Sequence, residues 1–285
     1  GSLTAVDAID MQVEAATIHG FVGPNGAGKT TTMKMLIGAL RATEGDGWIK
    51  DQAIGSKDAR ALIGYAPEHA VLYDDMTAHE YLVYMARVCG IDARTAGRRA
   101  DYLLDWLDLG GFTNAKGEGF SAGMRQRLCL AQALNHEPEV LILDEPTANM
   151  DPTGRLSILD RLRQLKGERN TTILLSSHIL SELEQVTDSI TMIYKGRIVV
   201  QGDISEIRSR FAEDQYLVKT SQNDTILGYL KDQGIVTEGW LDDEGFMHLA
   251  SEDGPGLRRG ILKAVVRYDA DLEHLSEEQV SLEII

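Results

Sequence analysis

Gly23-Pro24-Asn25-Gly26-Ala27-Gly28-Lys29-Thr30 has the spacing G-x-x-x-x-G-K-[ST]. Three glycines in six positions let a backbone curl tightly, so that its N–H groups converge on an anion without Cβ clashes. A lysine and a hydroxyl follow at once. Lys29 can reach the outer phosphates of a nucleoside triphosphate, and Thr30 can offer its oxygen to Mg²⁺. A helix is expected from about Lys29, with Thr31 in its first turn, so that its positive end points at the phosphates.

Two more stretches could do chemistry with a bound triphosphate. Val140-Leu141-Ile142-Leu143-Asp144-Glu145 is an apolar run closing on two acids. That pattern is expected of a buried parallel strand, with Asp144 placed to hold Mg²⁺ and Glu145 to act as general base toward a water. Phe120-Ser121-Ala122-Gly123-Met124-Arg125-Gln126-Arg127 precedes an Ala- and Leu-rich helix. Ser121 and the Gly123 N–H would stand at that helix's N-terminus, a second place for an anion.

The elements that must position these groups alternate. Thr17 to Val22 reads as a strand feeding the glycine loop, and Thr31 to Ile37 as the helix leaving it. Leu3 to Val13 alternates loosely and is expected to be a strand. With Trp48-Ile49-Lys50 it suggests a small antiparallel sheet. Ile63 to Glu68 reads as a buried strand ending at Pro67. Thr77 to Leu134 is mostly helical, opened by a capping box at Thr77-Ala78-His79-Glu80. Tyr81, Leu82, Tyr84, Met85 and Val88 follow at helical spacing. A second helix over 95–109 is expected to turn Leu103, Leu104, Trp106 and Leu107 inward, the aromatics being core. A helix over 156–165, a strand over 171–176 and two strands pairing around Lys195-Gly196 complete an α/β pattern with a parallel sheet. Beyond a boundary near Phe211 the order is β-α-β-β-α-β, with a hairpin across 242–245, as in a ferredoxin-like split βαβ.

Composition narrows the functions. The formal net charge is −16, which argues against a nucleic-acid partner. More than half of it sits in residues 206–285, which hold 17 acidic and 8 basic side chains. The two cysteines, Cys89 and Cys129, are isolated, so no zinc or disulfide framework is indicated. No apolar run approaches the roughly 18–20 residues that span a bilayer, and no signal peptide is evident. A membrane role is expected to come through a partner.

Taken as an ordered set, these motifs resemble the nucleotide-binding subunit of ABC transporters. Phe120 to Met124 is similar to the family's LSGGQ signature, and Val140 to Glu145 to its magnesium-and-base strand. Ala148-Asn149-Met150-Asp151 resembles its D-loop, Ser177-His178 its H-loop and Tyr65-Ala66-Pro67-Glu68 its Q-loop. The likeness covers residues 3 to about 205. It implies an ABC ATPase core over 1–210, with a helical subdomain at about 75–135, and an accessory α+β domain over 211–285.

The resemblance further implies ATP and Mg²⁺ as ligands, with the metal held by Thr30, Asp144 and Glu68. It implies a second ATPase subunit, identical or not, and a membrane permease on whose cytoplasmic face the chain sits. Two ATPs would be sandwiched head to tail, with Lys29 and Thr30 of one protomer facing Ser121 and Gly123 of the other. His178 would contact the γ-phosphate and its attacking water, and Asp151 would couple the two sites. The departures are Glu68 where many members have Gln, and Ala122 and Met124 within the signature. The family places an adenine-stacking aromatic just upstream of Leu3, and residues 1–20 hold no Phe, Tyr or Trp. Reduced nucleotide affinity is therefore expected of this sequence.

The tail resembles the carboxy-terminal extension of two-component exporter ATPases, including drug and antibiotic exporters. It would stabilise or regulate the dimer, or be an inert appendage. Coupling of ATP hydrolysis to export is the first functional reading. The alternatives are a soluble ABC ATPase acting on ribosomes or DNA, and a clamp that closes on ATP without useful turnover.

Overall fold

Five consecutive buried residues, Ile18–Val22, form β1. A strand with both faces covered needs neighbours on both sides, and β1 has them. A computed structural model describes the chain over residues 4–278, except 70, 149, 212, 213, 243 and 252. It divides after Ile204 into two compact units.

In the first unit, β1 leads through the glycine loop into α1 (Lys29–Leu36). A two-stranded hairpin follows, β2 (Trp48–Ile49) with β3 (Gln52–Ala53). Ser56 caps α2 (Lys57–Leu62), which runs into β4 (Ile63–Ala66). The helical part comprises α3 (Ala78–Val88), α4 (Ala93–Trp106) and α5 (Ala122–Leu134). Thr77 and Glu80 close a reciprocal capping box on α3, Asp92 caps α4 and Ser121 caps α5. The chain then gives β5 (Val140–Leu143), α6 (Pro152–Arg169), β6 (Thr172–Ser177), α7 (Leu180–Glu184), β7 (Ser189–Tyr194) and β8 (Arg197–Asp203), and α8 (Ile204–Phe211) leads from Ile204 into the second unit.

The main sheet runs in the order β4-β5-β6-β1-β7-β8. All neighbours are parallel except β8, which turns back on β7. Leu141, Ile142 and Leu143 at its centre are fully buried. Each contributes about 1.5–3 kcal/mol of burial. This centre fixes the strand ends that carry the chemistry.

Two expectations are corrected. Leu3 to Val13 forms no strand over its described residues. Ala8 sits at φ 49, which breaks an extended run. The Asp7 N–H donates to Gly196 O at 2.8 Å, and Arg197 pairs with the Asp7 carboxylate, so the segment is tied to the β7–β8 turn. The small antiparallel pair is instead a local hairpin, with Trp48 opposite Ala53. The aromatics of the helical part are not all core. Trp106 is only partly buried and carries the Arg161 guanidinium 5.5 Å above its ring, while Tyr84 and Val88 are exposed. Leu103, Leu104 and Leu107 are buried.

The second unit contains β9 (Asp214–Thr220), α9 (Asn223–Asp232), β10 (Glu238–Leu241), β11 (Met247–Ser251), α10 (Gly254–Arg267) and β12 (Leu272–Glu278). Its four strands form one antiparallel sheet in the order β10-β11-β9-β12. Tyr216, Val218, Met247 and Leu249 of the sheet share a core with Ile226 and Leu230 of α9 and with Leu257, Ile261 and Ala264 of α10. Within the hairpin across 242–245, Asp243 lies outside the described residues. No helix among the described residues is long and apolar enough to cross a membrane.

Candidate active site

The carboxyl ends of β5, β6 and β1 lie side by side, which is where open α/β sheets bind ligands. The glycine loop, Gly23 to Gly28, leaves β1 there. Gly26 and Gly28 adopt φ 80 and 115, conformations that L side chains rarely take. A Cβ on Gly23 would fall 2.2 Å from the Ile193 carbonyl oxygen, so only glycine fits. The Ala27 N–H donates to Pro24 O at 3.1 Å and closes the turn around Asn25.

α1 starts at Lys29, as its sequence suggests. Its N-cap is Gly28, with no capping side chain and no acid in the first turn. Its first N–H groups, with those of Thr30 and Thr31, are left for an anion. Lys29 is 6% exposed. Its ammonium donates to Gly23 O at 2.5 Å and approaches Pro24 O at 3.4 Å.

Across from the loop stand the two acids. The Asp144 N–H still donates to Ala66 O of β4, so the carboxylate is fixed at the sheet's edge. Asp144 is 1% exposed and Glu145 6%. β5 pairs with β6 through Leu143 and Leu175. One step further on, Ser176 Oγ donates to Asp144 Oδ1 at 2.7 Å and accepts from the Glu145 N–H at 2.9 Å. One hydroxyl therefore sets both acids. It helps to hold Glu145 at φ 49, a conformation costing about 1–3 kcal/mol.

The Glu145 carboxylate faces two partners. Oε1 is 3.2 Å from Lys29 Nζ, an ion pair without a well-directed hydrogen bond, since the ammonium is turned to the loop carbonyls. Oε2 lies 2.9 Å from His178 Nδ1. A carboxylate only accepts, so Nδ1 carries the hydrogen there. Lys29, Glu145 and His178, each following a different strand, thus meet in one contact chain.

The remaining expected residues lie elsewhere. Glu68 is partly buried on the loop after β4. Gln126 of α5 reaches that loop, donating weakly to Pro67 O at 3.4 Å. Ser121 is exposed, and its Oγ accepts from the Met124 N–H at 3.2 Å. Gly123 is partly buried, and a Cβ there would stand 3.8 Å from Met150 Cγ. Asp151 caps α6 through Gly154 N at 2.7 Å. Asn149 of the same loop lies outside the described residues. Sequence reasoning missed Ser176. The Ser176-Ser177 pair closing a buried strand just before His178 was the available signal.

The residues present suit a magnesium–triphosphate pair. Among the described residues, no cluster of three or more His, Cys, Asp or Glu could hold a metal by itself. The site offers a buried Asp144 and the Thr30 hydroxyl, hard oxygens too few to cage an ion. That is the donor set of a cation sharing phosphate oxygens. A Cβ on Gly26 would meet no atom within 4 Å, so the space beside that residue is open. Nearby, Tyr65 Oη is buried without a partner, and burial, with Asp144 and Cys129 adding to it, pushes its pKa up to about 12.

Comparison with known proteins agrees with this geometry. The ABC transporter family model matches residues 6–148. The chain is 35% identical over 244 residues to the uncharacterised ABC transporter ATP-binding protein YxlF of Bacillus subtilis, covering 85% of this chain and 76% of that protein. It is 39% identical over 212 residues to the bacitracin transport ATP-binding protein BcrA of Bacillus licheniformis, covering 74% and 68%. A solved structure of an ATP-binding subunit of an ABC transporter superposes with a TM-score of 0.66 at 31% identity, over 73% of this chain and 87% of that one. The chain belongs to the ABC transporter family, as an ATP-binding subunit with ABC-type ATPase activity.

Proposed function

We propose that this ATPase drives export through a separate membrane permease, with Glu145 as the base that activates water. The carrying observation is the contact chain from Lys29 through Glu145 to His178 beside the Ser176-pinned Asp144. The loop of Gly23, Pro24, Asn25, Gly26, Ala27 and Gly28 wraps the phosphates, with backbone N–H groups supplied by its residues other than Pro24. Lys29 neutralises the β- and γ-phosphates, and Thr30 and Thr31 lie under them at the helix start. Glu145 takes a proton from the attacking water, while His178 steadies the base through its Nδ1–H and lies beside the γ-phosphate and that water. Thr30, Asp144 and Glu68 are the residues that would hold Mg²⁺, whose charge would offset that of the phosphates.

Ser121, Gly123 and Asp151 serve a second copy. Each lies at a helix N-terminus, which suits a head-to-tail pair in which ATP joins one loop to the other's signature helix. The γ-phosphate is then the differential contact favouring closure. Residues 1–210 form the ATPase domain. Residues 211–285 form an accessory domain whose strand order, β10-β11-β9-β12, is that of a ferredoxin-like fold. A role in transport is supported by the bacitracin transport relative, and export from the cytoplasmic face of the membrane is the direction and place proposed for it here. The net charge of −16 opposes a nucleic-acid partner.

Glu145→Gln tests the central role. Its hydrolysis of MgATP should fall by about 10²–10⁴-fold while ATP binding persists. With ATP, light scattering should then detect a dimer of that variant. Turnover equal to the unaltered chain removes Glu145 as base. Monomers alone, with the permease supplied, overturn the sandwich.

A further inference from the structure

Two stretches leave the carboxyl edge of the sheet around the acids and the histidine, one running 145–151 and the other 178–184. One pair of side chains ties them. Arg155, in the first turn of α6, donates from Nη1 to Glu182 Oε1 at 2.7 Å and from Nε to Met150 O at 3.0 Å. The second oxygen of Glu182 accepts from Thr147 Oγ1 at 3.3 Å. Thr147 lies two residues after Glu145, Met150 one before Asp151, and Glu182 four after His178, on α7.

The pair is sheltered, with side chains 32% and 19% exposed. The Met150 side chain carries the linkage further. It is buried, and its Cγ lies 3.8 Å from the place of a Cβ on Gly123, at the tip of α5. A planar guanidinium suits this work, because one fork can bond a carboxylate and a backbone carbonyl at fixed angles. A lysine has a single nitrogen on a flexible stem.

We infer that Arg155 and Glu182 are positioning residues for hydrolysis, locking the helix that follows His178, the Asp151 loop and the Gly123 tip into one arrangement. This rests on the site roles proposed above. Both act through the loops that they hold. A shift of about 1 Å in a reacting group can cost on the order of 10²-fold in rate. A clamp that prevents it therefore acts on kcat and leaves nucleotide affinity alone.

The test uses the full chain, with Arg155→Met, Glu182→Gln, the two combined, and Arg155→Lys. Steady-state MgATP hydrolysis gives kcat and KM, a fluorescent ATP analogue gives affinity, and thermal unfolding checks the fold. The expectation is a fall in kcat of about tenfold or more for either single variant, with KM and affinity within about twofold. The combined variant should fall no further than the deeper single one, and Arg155→Lys should recover only part of the rate. Unchanged kcat, a rise in KM at constant kcat, or losses that multiply would overturn the inference. If Arg155→Met does not fold, Glu182→Gln and Arg155→Lys carry the test. Glu145→Gln in parallel separates the two ideas. If it turns over normally, the base assignment fails. If it is inactive while the clamp variants run at full rate, only the clamp fails.

Discussion

Ser176→Ala removes one oxygen and disturbs two acids. Ser176 is fully buried, and its hydroxyl donates to Asp144 Oδ1 while accepting from the Glu145 N–H. Losing a hydrogen bond to a charged group costs about 1.5–3 kcal/mol, and stranding a buried N–H costs about 1–3 kcal/mol more. Some relaxation offsets this, so about 3 kcal/mol is expected. Ser177→Ala is the matched control. That residue is also buried, and its hydroxyl accepts from the Ile179 N–H at 2.9 Å but touches neither acid among the bonds of the described residues, so about 1 kcal/mol is expected.

Urea unfolding can read this difference in the first unit alone. Trp48 and Trp106 lie there and Trp240 in the second unit, so a Trp240→Phe background leaves only reporters of the first. With a slope of about 2–3 kcal/mol per molar, Ser176→Ala should lower the midpoint by about 1 M. MgATP turnover by the folded variant should also drop by about tenfold, since both acids lose the hydroxyl that fixes them. Equal midpoints for the two serine variants, or full turnover by Ser176→Ala, would refute the pinning argument.

Two more perturbations test the same unit. His19 is buried, its Nε2–H donating to Thr191 Oγ1 and its Nδ1 accepting from Ser189 Oγ, and burial lowers its pKa from 6.5 to about 4. The unfolded chain then binds the extra proton between those values, so stability is full above pH 6.5 and falls by about 2 kcal/mol by pH 5; urea titrations of His19→Gln should lack that part of the pH slope, and identical slopes would dispose of it. Gly23→Ala drives a Cβ into the Ile193 carbonyl, whereas Gly26→Ala meets open space and bears only its positive φ, a strain of about 1–2 kcal/mol; thermal unfolding should rank Gly23→Ala well below Gly26→Ala, and the reverse order would contradict the loop geometry.

What the sequence disclosed depended on how local the cause was. The glycine loop, the helix beginning at Lys29, the capping box at Thr77 and the buried run Val140–Leu143 are each dictated within about ten residues, and each stands where its pattern put it. Leu3 to Val13 misled because alternation is necessary for a strand but needs an edge to pair with. Its ties go instead to Gly196 and Arg197, nearly two hundred residues on. Trp106 read as core, yet an arginine from α6 covers its ring.

The same reasoning explains which parts of the site stayed hidden. Lys29, Glu145 and His178 are recognisable one at a time from motif context, but the hydroxyl that sets the acids belongs to a neighbouring strand. Ser176 stands opposite Asp144 only because β5 and β6 pair in parallel with Leu143 opposite Leu175. A one-residue slip would turn that hydroxyl to the other face of the sheet. Arg155 and Glu182, 27 residues apart, look in sequence like ordinary surface charges. Their meaning comes from the register and the crossing of α6 and α7. In this chain, the residues proposed to react announce themselves through local motifs, and those that hold them are chosen by strand register.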